Sequence, residues 1–335
     1  MIIDLSGYSF TGKSAYYDLL SGCQNVRSFG IESEFDLIRS QGGLLDLYHA
    51  LCISWSPIRS SEAIRRFRRL IHYFGGQRNL RDRLFRYGPH YDSIIEGFTR
   101  KSEDFIKSLI LAEWESEWPF ADLNESHSLT ILKKNIKRLG LVKKETVYLS
   151  SFSEAKFTEL CVSYIRELFE DSYDSNTQGL LLNNCFEPFD PLQSMKFFPE
   201  ARAIVVDRDP RDIYISASNA RIVNGVDVGG AVIGGGVETF IDRFLTYRNN
   251  VSVASSPKLI RTNFENLIVK NADEIEKLSS FLAPLSIDWS FARLNFNLEN
   301  SRKNIRQWLH PNHKKYQNDI KLIEDRLSSY CYIRS

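Results

Sequence analysis

One eight-residue segment, Gly7-Tyr8-Ser9-Phe10-Thr11-Gly12-Lys13-Ser14, constrains this chain more than any other feature. It has the form GxxxxGK[ST], follows the apolar run Ile2 to Ser6 and opens the helix-forming stretch Ser14 to Leu20. A strand before and a helix after are what give so short a pattern meaning. Its glycines let the backbone curl until successive N–H groups converge on one anion. The helix start adds partial positive charge, and Lys13 adds a full one. The bland alternative is a plain strand-to-helix turn with a solvated Lys13. A phosphate loop needs a strand beside a helix, so the chain is expected to be α/β, but the loop does not say which nucleotide it holds.

The rest of the chain supplies a sheet. Strand-like runs at Thr146 to Leu149, Gly179 to Leu182, Ala203 to Val206 and Lys258 to Arg261 are separated by helical patterns such as Ala155 to Phe169 and Ala272 to Leu282. That alternation predicts a central parallel sheet flanked by helices. From residue 33 to 140 the apolar spacing is helical, with breaks near Pro57, Gly75-Gly76 and Gly88-Pro89. This reads as a helical insertion over an acceptor cleft, within a single domain spanning 1–335. Asn224 to Val237 holds six of the eighteen glycines and is expected to be a mobile loop.

Charge excludes some classes. Lys plus Arg number 43 against 42 Asp plus Glu, a net charge of +1, so neither nucleic acid nor a membrane surface is the expected partner. Five scattered cysteines, Cys23, Cys52, Cys161, Cys185 and Cys331, show no zinc spacing and read as reduced thiols. No apolar run reaches the ~18 residues of a membrane span, and no basic leader precedes the first strand, so a cytoplasmic location is expected. Locally the balance differs: Arg59 to Lys101 carries eleven Arg or Lys against four Asp or Glu, interleaved with Phe67, Tyr73, Phe74, Phe85, Tyr87 and Tyr91. Arg65, Arg66, Arg68 and Arg69 sit on neighbouring turns with Ile64, Phe67, Leu70 and Ile71 directed to the core. This is either an ordinary solvated face or a platform for an anionic glycan or a nucleotide- or lipid-diphosphate-linked precursor as acceptor.

A second motif names a family. Phe197 to Ala220 read FFPEARAIVVDRDPRDIYISASNA, an apolar strand running into Asp207-Arg208-Asp209-Pro210-Arg211-Asp212 and then a helix carrying Ser216. Here the chain resembles the PAPS-dependent sulfotransferases (PAPS, 3′-phosphoadenosine 5′-phosphosulfate), whose 3′-phosphate site is a strand, an Arg-x-Pro-Arg/Lys-Asp turn and a later Ser. The resemblance implies a P-loop NTPase-like sulfotransferase fold and PAPS as donor, with no metal. It also implies that Arg208 and Ser216 bind the 3′-phosphate, that Gly7, Thr11, Gly12, Lys13, Ser14 and Ala15 hold the donor's other end, and that Arg211 and Asp212 brace the turn. Lys258 to Ile268 is similar to the family's late strand and Tyr-Glu-Asp-Leu segment, with Phe264 in place of the Tyr. Asn300 to Trp308 resembles its basic closing loop, which makes Arg302 and Lys303 further donor-binding candidates. The implied reaction moves a sulfuryl group to a hydroxyl or amine of a glycan or related metabolite.

The match has departures. Family loops commonly read Lys-Ser/Thr-Gly-Thr/Ser-Thr/Ser, and the overlay puts Phe10 at that Lys, leaving Lys13 as the candidate catalytic cation. After the strand before the Arg motif, Leu182 to Pro191 lacks the His of many cytosolic members, and Glu187 is the best-placed carboxylate for a general base. Two rivals stay open: a P-loop kinase using ATP-Mg, with Asp207 directing magnesium, and a catalytically silent nucleotide-binding protein.

Overall fold

A computed structural model describes residues 1–76, 88–118, 144–220, 222–223 and 226–332. Its strands are β1 (Ile2–Gly7), β2 (Val26–Ser28), β3 (Ala112–Ser116), β4 (Glu145–Leu149), β5 (Gly179–Asn183), β6 (Arg202–Asp207), β7 (Ile222–Val223), β8 (Val226–Asp227) and β9 (Leu259–Asn263). Five form a parallel sheet in the order β2-β5-β1-β6-β9. Ile3, Leu5, Leu181, Ile204 and Val206 pack with the helices Lys13–Ser21, Phe264–Val269 and Asn271–Leu282. The intervening Leu180, Leu182, Ala203 and Val205 are buried as well. Residues of both parities are therefore out of water, as the near-continuous apolar strands of a covered parallel sheet require.

From β1 the chain builds the sheet outward to β5 and β2 on one side and to β6 and β9 on the other. Such a change of direction opens a crevice at the carboxyl ends of the central strands, where ligands of doubly wound sheets bind. Gly7, Asn183 and Asp207 end the three strands that meet there.

The chain divides into two compact units, Met1–Arg39 with Phe169–Ser335, and Ser40–Leu168. The first holds the parallel sheet. The second contains the helices Pro57–Gly75 and Phe98–Ser108 and the antiparallel pair β3-β4, around rings such as Phe74 on Tyr91 and Phe105 on Tyr164.

Three expectations need correction. By its sequence β4 belongs in the parallel sheet, yet it pairs antiparallel with β3, and β3 lies inside the stretch expected to be helical. Both are short, with polar residues among the apolar ones, and a five-residue run does not announce which sheet it joins. The edge strand β2, Val-Arg-Ser, is too short and polar to read from sequence. In the glycine-rich stretch, β7 and β8 pair and Gly230–Ile233 forms one helical turn. The Asp227 carboxylate accepts the Gly230 N–H there at 2.8 Å, and Val232 is buried. Residues 77–87 and 119–143, including Phe85, Tyr87 and part of the helical insertion, lie outside the described residues. Among the described residues no helix is long and apolar enough to cross a membrane.

Candidate active site

The loop after β1 is built by three residues in the left-handed region, Ser9 (φ 76°), Phe10 (φ 54°) and Gly12 (φ 73°). Gly12 also has no room for a side chain, since a Cβ would lie 2.6 Å from the Phe264 ring. The helix Lys13–Ser21 begins there with no side-chain cap on its first turn, which leaves its N-terminal partial charge available to an anion. Thr11 is buried, and its hydroxyl has no hydrogen-bond partner among the described residues. Ser14 is exposed and Ala15 buried on that turn.

Lys13 donates to Asn183 Oδ1 at 2.6 Å and to Glu34 Oε1 at 3.2 Å. Burial pulls its pKa below the usual lysine range, and the Glu34 charge pulls it back up. Glu34 reaches this place because its stretch runs alongside the end of β5. It forms a parallel bridge with Asn183, and the Phe35 N–H donates to the Asn183 carbonyl at 2.9 Å. The same carboxylate accepts from Asn184 Nδ2 at 2.5 Å and from Arg39 Nη2 at 3.0 Å, and Arg39 Nε donates to Asp36 at 2.7 Å. Sequence reasoning missed Glu34, which stands in a polar loop without a motif.

Glu187 is half-buried. Burial pushes its carboxyl up; the Arg39 charge opposes that, and the Asp36 charge adds to it. Its segment is pinned from both sides. Asp4, fully buried in β1, accepts the N–H groups of Cys185 at 2.8 Å and Phe186 at 3.2 Å. The Pro188 carbonyl accepts from Tyr8 at 3.1 Å and Arg261 at 2.7 Å.

A second cation site adjoins the first. Arg208, buried at the end of β6, donates through Nη1 to the Phe10 carbonyl at 2.9 Å and to Ser216 Oγ at 3.0 Å, and through Nη2 to the Asn304 carbonyl at 2.5 Å. Its Nε is buried without a hydrogen-bond partner among the described residues. The eight-residue spacing works because Asp209 caps the helix Pro210–Ser218 through the Arg211 N–H at 2.9 Å, which turns Ser216 back toward the strand end. Arg211 pairs with Asp209 and Glu324. The Asp212 carboxylate accepts the N–H groups of Arg306 at 2.8 Å and Gln307 at 2.7 Å, and burial pushes its pKa up to about 6. Burial pushes Glu265, which accepts the Asp209 N–H, up to about 7.

The closing segment differs from its sequence reading in detail. Arg302 and Lys303 are exposed and bond within their own turn, to Glu299 at 2.6 Å and Asn300 at 3.2 Å. Arg302 also lines a cavity of about 350 Å³ with Ile268, Val269, Ile305, Arg306 and Tyr332. The groups that touch the Arg208–Ser216 pair are the Asn304 carbonyl and Gln307 Nε2, the latter 3.2 Å from Ser216 Oγ. Asp207, the magnesium-directing residue of the kinase alternative, accepts from Arg248 and from the Arg208 N–H. In the Ser40–Leu168 unit four arginines of the Pro57–Gly75 helix have carboxylate partners: Arg65 pairs with Glu145, Arg68 with Glu103, and both Arg66 and Arg69 with Glu62.

No family model and no curated protein matches the chain. Among solved structures it is similar to retinol dehydratase in complex with androsterone and inactive cofactor PAP, at 10% identity and a TM-score of 0.36, over all of this chain and 82% of that one. So distant a likeness assigns neither an activity nor a site to this chain.

Proposed function

We propose that the chain transfers a sulfuryl group from PAPS to a hydroxyl of a small-molecule acceptor such as a glycan. The observation that carries this reading is the guanidinium of Arg208, which donates at once to Ser216 and to the Phe10 carbonyl of the phosphate loop. Two anion sites are thereby joined through one loop, which suits a nucleotide bearing both a 3′-phosphate and a 5′-phosphosulfate. The buried Arg208 Nε and Thr11 hydroxyl, each without a hydrogen-bond partner among the described residues, are donors such a ligand would satisfy.

In this reading Arg208, Ser216 and Gln307 hold the 3′-phosphate, and the first turn of the Lys13–Ser21 helix holds the other end. The acceptor oxygen bonds to sulfur as the bond from sulfur to the bridging oxygen breaks, and that electron pair stays on the leaving phosphate. Lys13 is the cation nearest that developing charge. Glu34 takes the acceptor's proton. It is preferred to Glu187 because it touches Lys13 directly, at 3.2 Å, which sets it beside the cation of the reaction.

The test is a thermal shift. Adenosine 3′,5′-bisphosphate (PAP) is expected to raise the melting temperature more than ATP-Mg, because only it fills both sites, and ligand at 100 times Kd stabilises by ~2.7 kcal/mol. A larger shift with ATP-Mg would transfer the case to the kinase reading. PAP binding without turnover on any acceptor would mark a silent binding protein.

A further inference from the structure

We propose that Asp212 is a positioning residue that gives the site its selectivity for a 3′-phosphate: its carboxylate clamps the segment Asn304 to Trp308 against the Arg208–Ser216 pair. This rests on the sulfotransferase reading and adds to it the means by which the donor is told from other adenine nucleotides.

Asp212 is 2% exposed and lies on the first turn of the helix Pro210–Ser218. Both of its oxygens are spent on a segment far along the chain: Oδ2 accepts the Arg306 N–H at 2.8 Å and Oδ1 the Gln307 N–H at 2.7 Å. Arg306 is in the left-handed region, with φ 57°, and successive amides turned in that way form a small concave anion site. A residue with a side chain does not hold that conformation unaided. Arg306 is exposed, and the short helix Gln307–Leu309 that it opens has no side-chain cap from Arg306. A surface segment, strained at one residue, thus keeps its shape through a buried carboxylate. The neighbouring Arg211 adds to the hold, with its guanidinium 3.9 Å from the centre of the Trp308 ring.

The clamped segment meets the proposed 3′-phosphate site twice. The Asn304 carbonyl accepts from Arg208 Nη2 at 2.5 Å, and Gln307 Nε2 stands 3.2 Å from Ser216 Oγ. The other end of the donor would lie on the first turn of the Lys13–Ser21 helix, where Lys13 is held by Glu34 and Asn183 and not by this segment. Release of the clamp should therefore be felt by a 3′-phosphate and not by a 5′-phosphate. The charge of Asp212 pulls the other way. A buried carboxylate beside Arg208 opposes an incoming phosphate, so on charge alone its removal would tighten binding. Clamping predicts the opposite sign.

Isothermal titration with PAP and with adenosine 5′-phosphate (AMP), which lacks the 3′-phosphate, decides the matter. Asp212→Asn preserves the volume but sets an N–H group against one of the two amides. It is expected to weaken PAP binding at least ~10-fold, as loss of a hydrogen bond to a charged group allows, with AMP affinity close to that of the unmodified protein. Should that buried change prevent folding, Arg306→Pro removes one of the two N–H groups at an exposed position, leaves Asp212 in place and should give the same PAP-selective loss. Arg306→Lys, which keeps both the N–H and the charge, should bind both nucleotides as the unmodified protein does. Equal losses of PAP and AMP affinity would mark a merely structural role and overturn the inference. PAP binding unchanged or tightened by Asp212→Asn, or a loss with Arg306→Lys as large as with Arg306→Pro, would overturn it too. If PAP fails to bind the unmodified protein, the sulfotransferase reading falls, and this inference with it. If PAP binds and the loss is not confined to it, the positioning role alone falls.

Discussion

Replacing Asp4 by asparagine should remove a pH dependence of stability that the native chain carries at the centre of its sheet. Asp4 is fully buried, and burial pushes its pKa up to about 7, against the opposing hydrogen bonds from Ser6, Phe186 and Cys185. The geometry explains why a proton is welcome. The Ser6 hydroxyl lies 2.6 Å from Asp4 Oδ2 and 2.9 Å from the Phe186 carbonyl, with one hydrogen to give. A neutral Asp4 donates to Ser6, frees that hydrogen for Phe186, and still accepts both N–H groups through Oδ1. An asparagine at this position would reproduce the pattern with its amide N–H. The sign follows from the raised acid pKa: between about pH 4 and 7 the folded state holds more protons than the unfolded, so folding becomes less favourable as pH rises through that window. About three pH units at 1.36 kcal/mol each set a ceiling of about 4 kcal/mol. Urea unfolding at several pH values from 5 to 8 should show Asp4→Asn gaining on the native chain as pH rises, with the difference level above about pH 7. Parallel pH profiles, or a variant weaker throughout, would refute the argument.

Arg208→Ala should weaken PAP binding by ~2 kcal/mol or more, about 30-fold, as expected for loss of a charge-assisted contact; calorimetry showing unchanged affinity would remove Arg208 from the donor site. Lys13→Ala should lower turnover by ~10²-fold while PAP affinity falls much less, because a cation at the bridging oxygen matters most where charge develops. Equal losses in turnover and binding would make it a uniform phosphate anchor. Glu34→Gln should cost ~10²–10⁴-fold in turnover, with PAP affinity held or improved; turnover near the native rate would return the base to another carboxylate.

The two anion motifs were legible because each is local. Gly7 to Ser14 is contiguous, and Arg208 and Ser216 are joined by a single helix start, so residue type and spacing contain the geometry. Glu34 was not legible for the opposite reason. Its place beside Lys13 depends on a bridge to Asn183, a residue 170 positions beyond that lysine, and parallel crossovers of that length leave no trace in spacing. Arg302 and Lys303 mark a different limit. The motif singles out side chains, whereas Arg208 is met by the backbone carbonyl of Asn304, and any residue but proline at 306 and 307 can offer Asp212 its N–H.

Both cations of the site are spoken for by the protein itself. Lys13 is held by Glu34 and Asn183, and Arg208 by Phe10, Ser216 and Asn304. A buried cation without acceptors would be costly, and the chain supplies neutral oxygens and one partly exposed carboxylate, partners that on the proposed reading a stronger anion would displace. The displacement is unequal in consequence. On the proposed reading Arg208 would exchange carbonyl and hydroxyl partners for a phosphate and so serve affinity. Lys13 would on the same reading give up a carboxylate, and the Glu34 it releases would be left to the acceptor. Phe10, standing where the family's lysine is expected, contributes its carbonyl oxygen to Arg208, and on the proposed reading this would link the donor's two ends through the backbone of the loop.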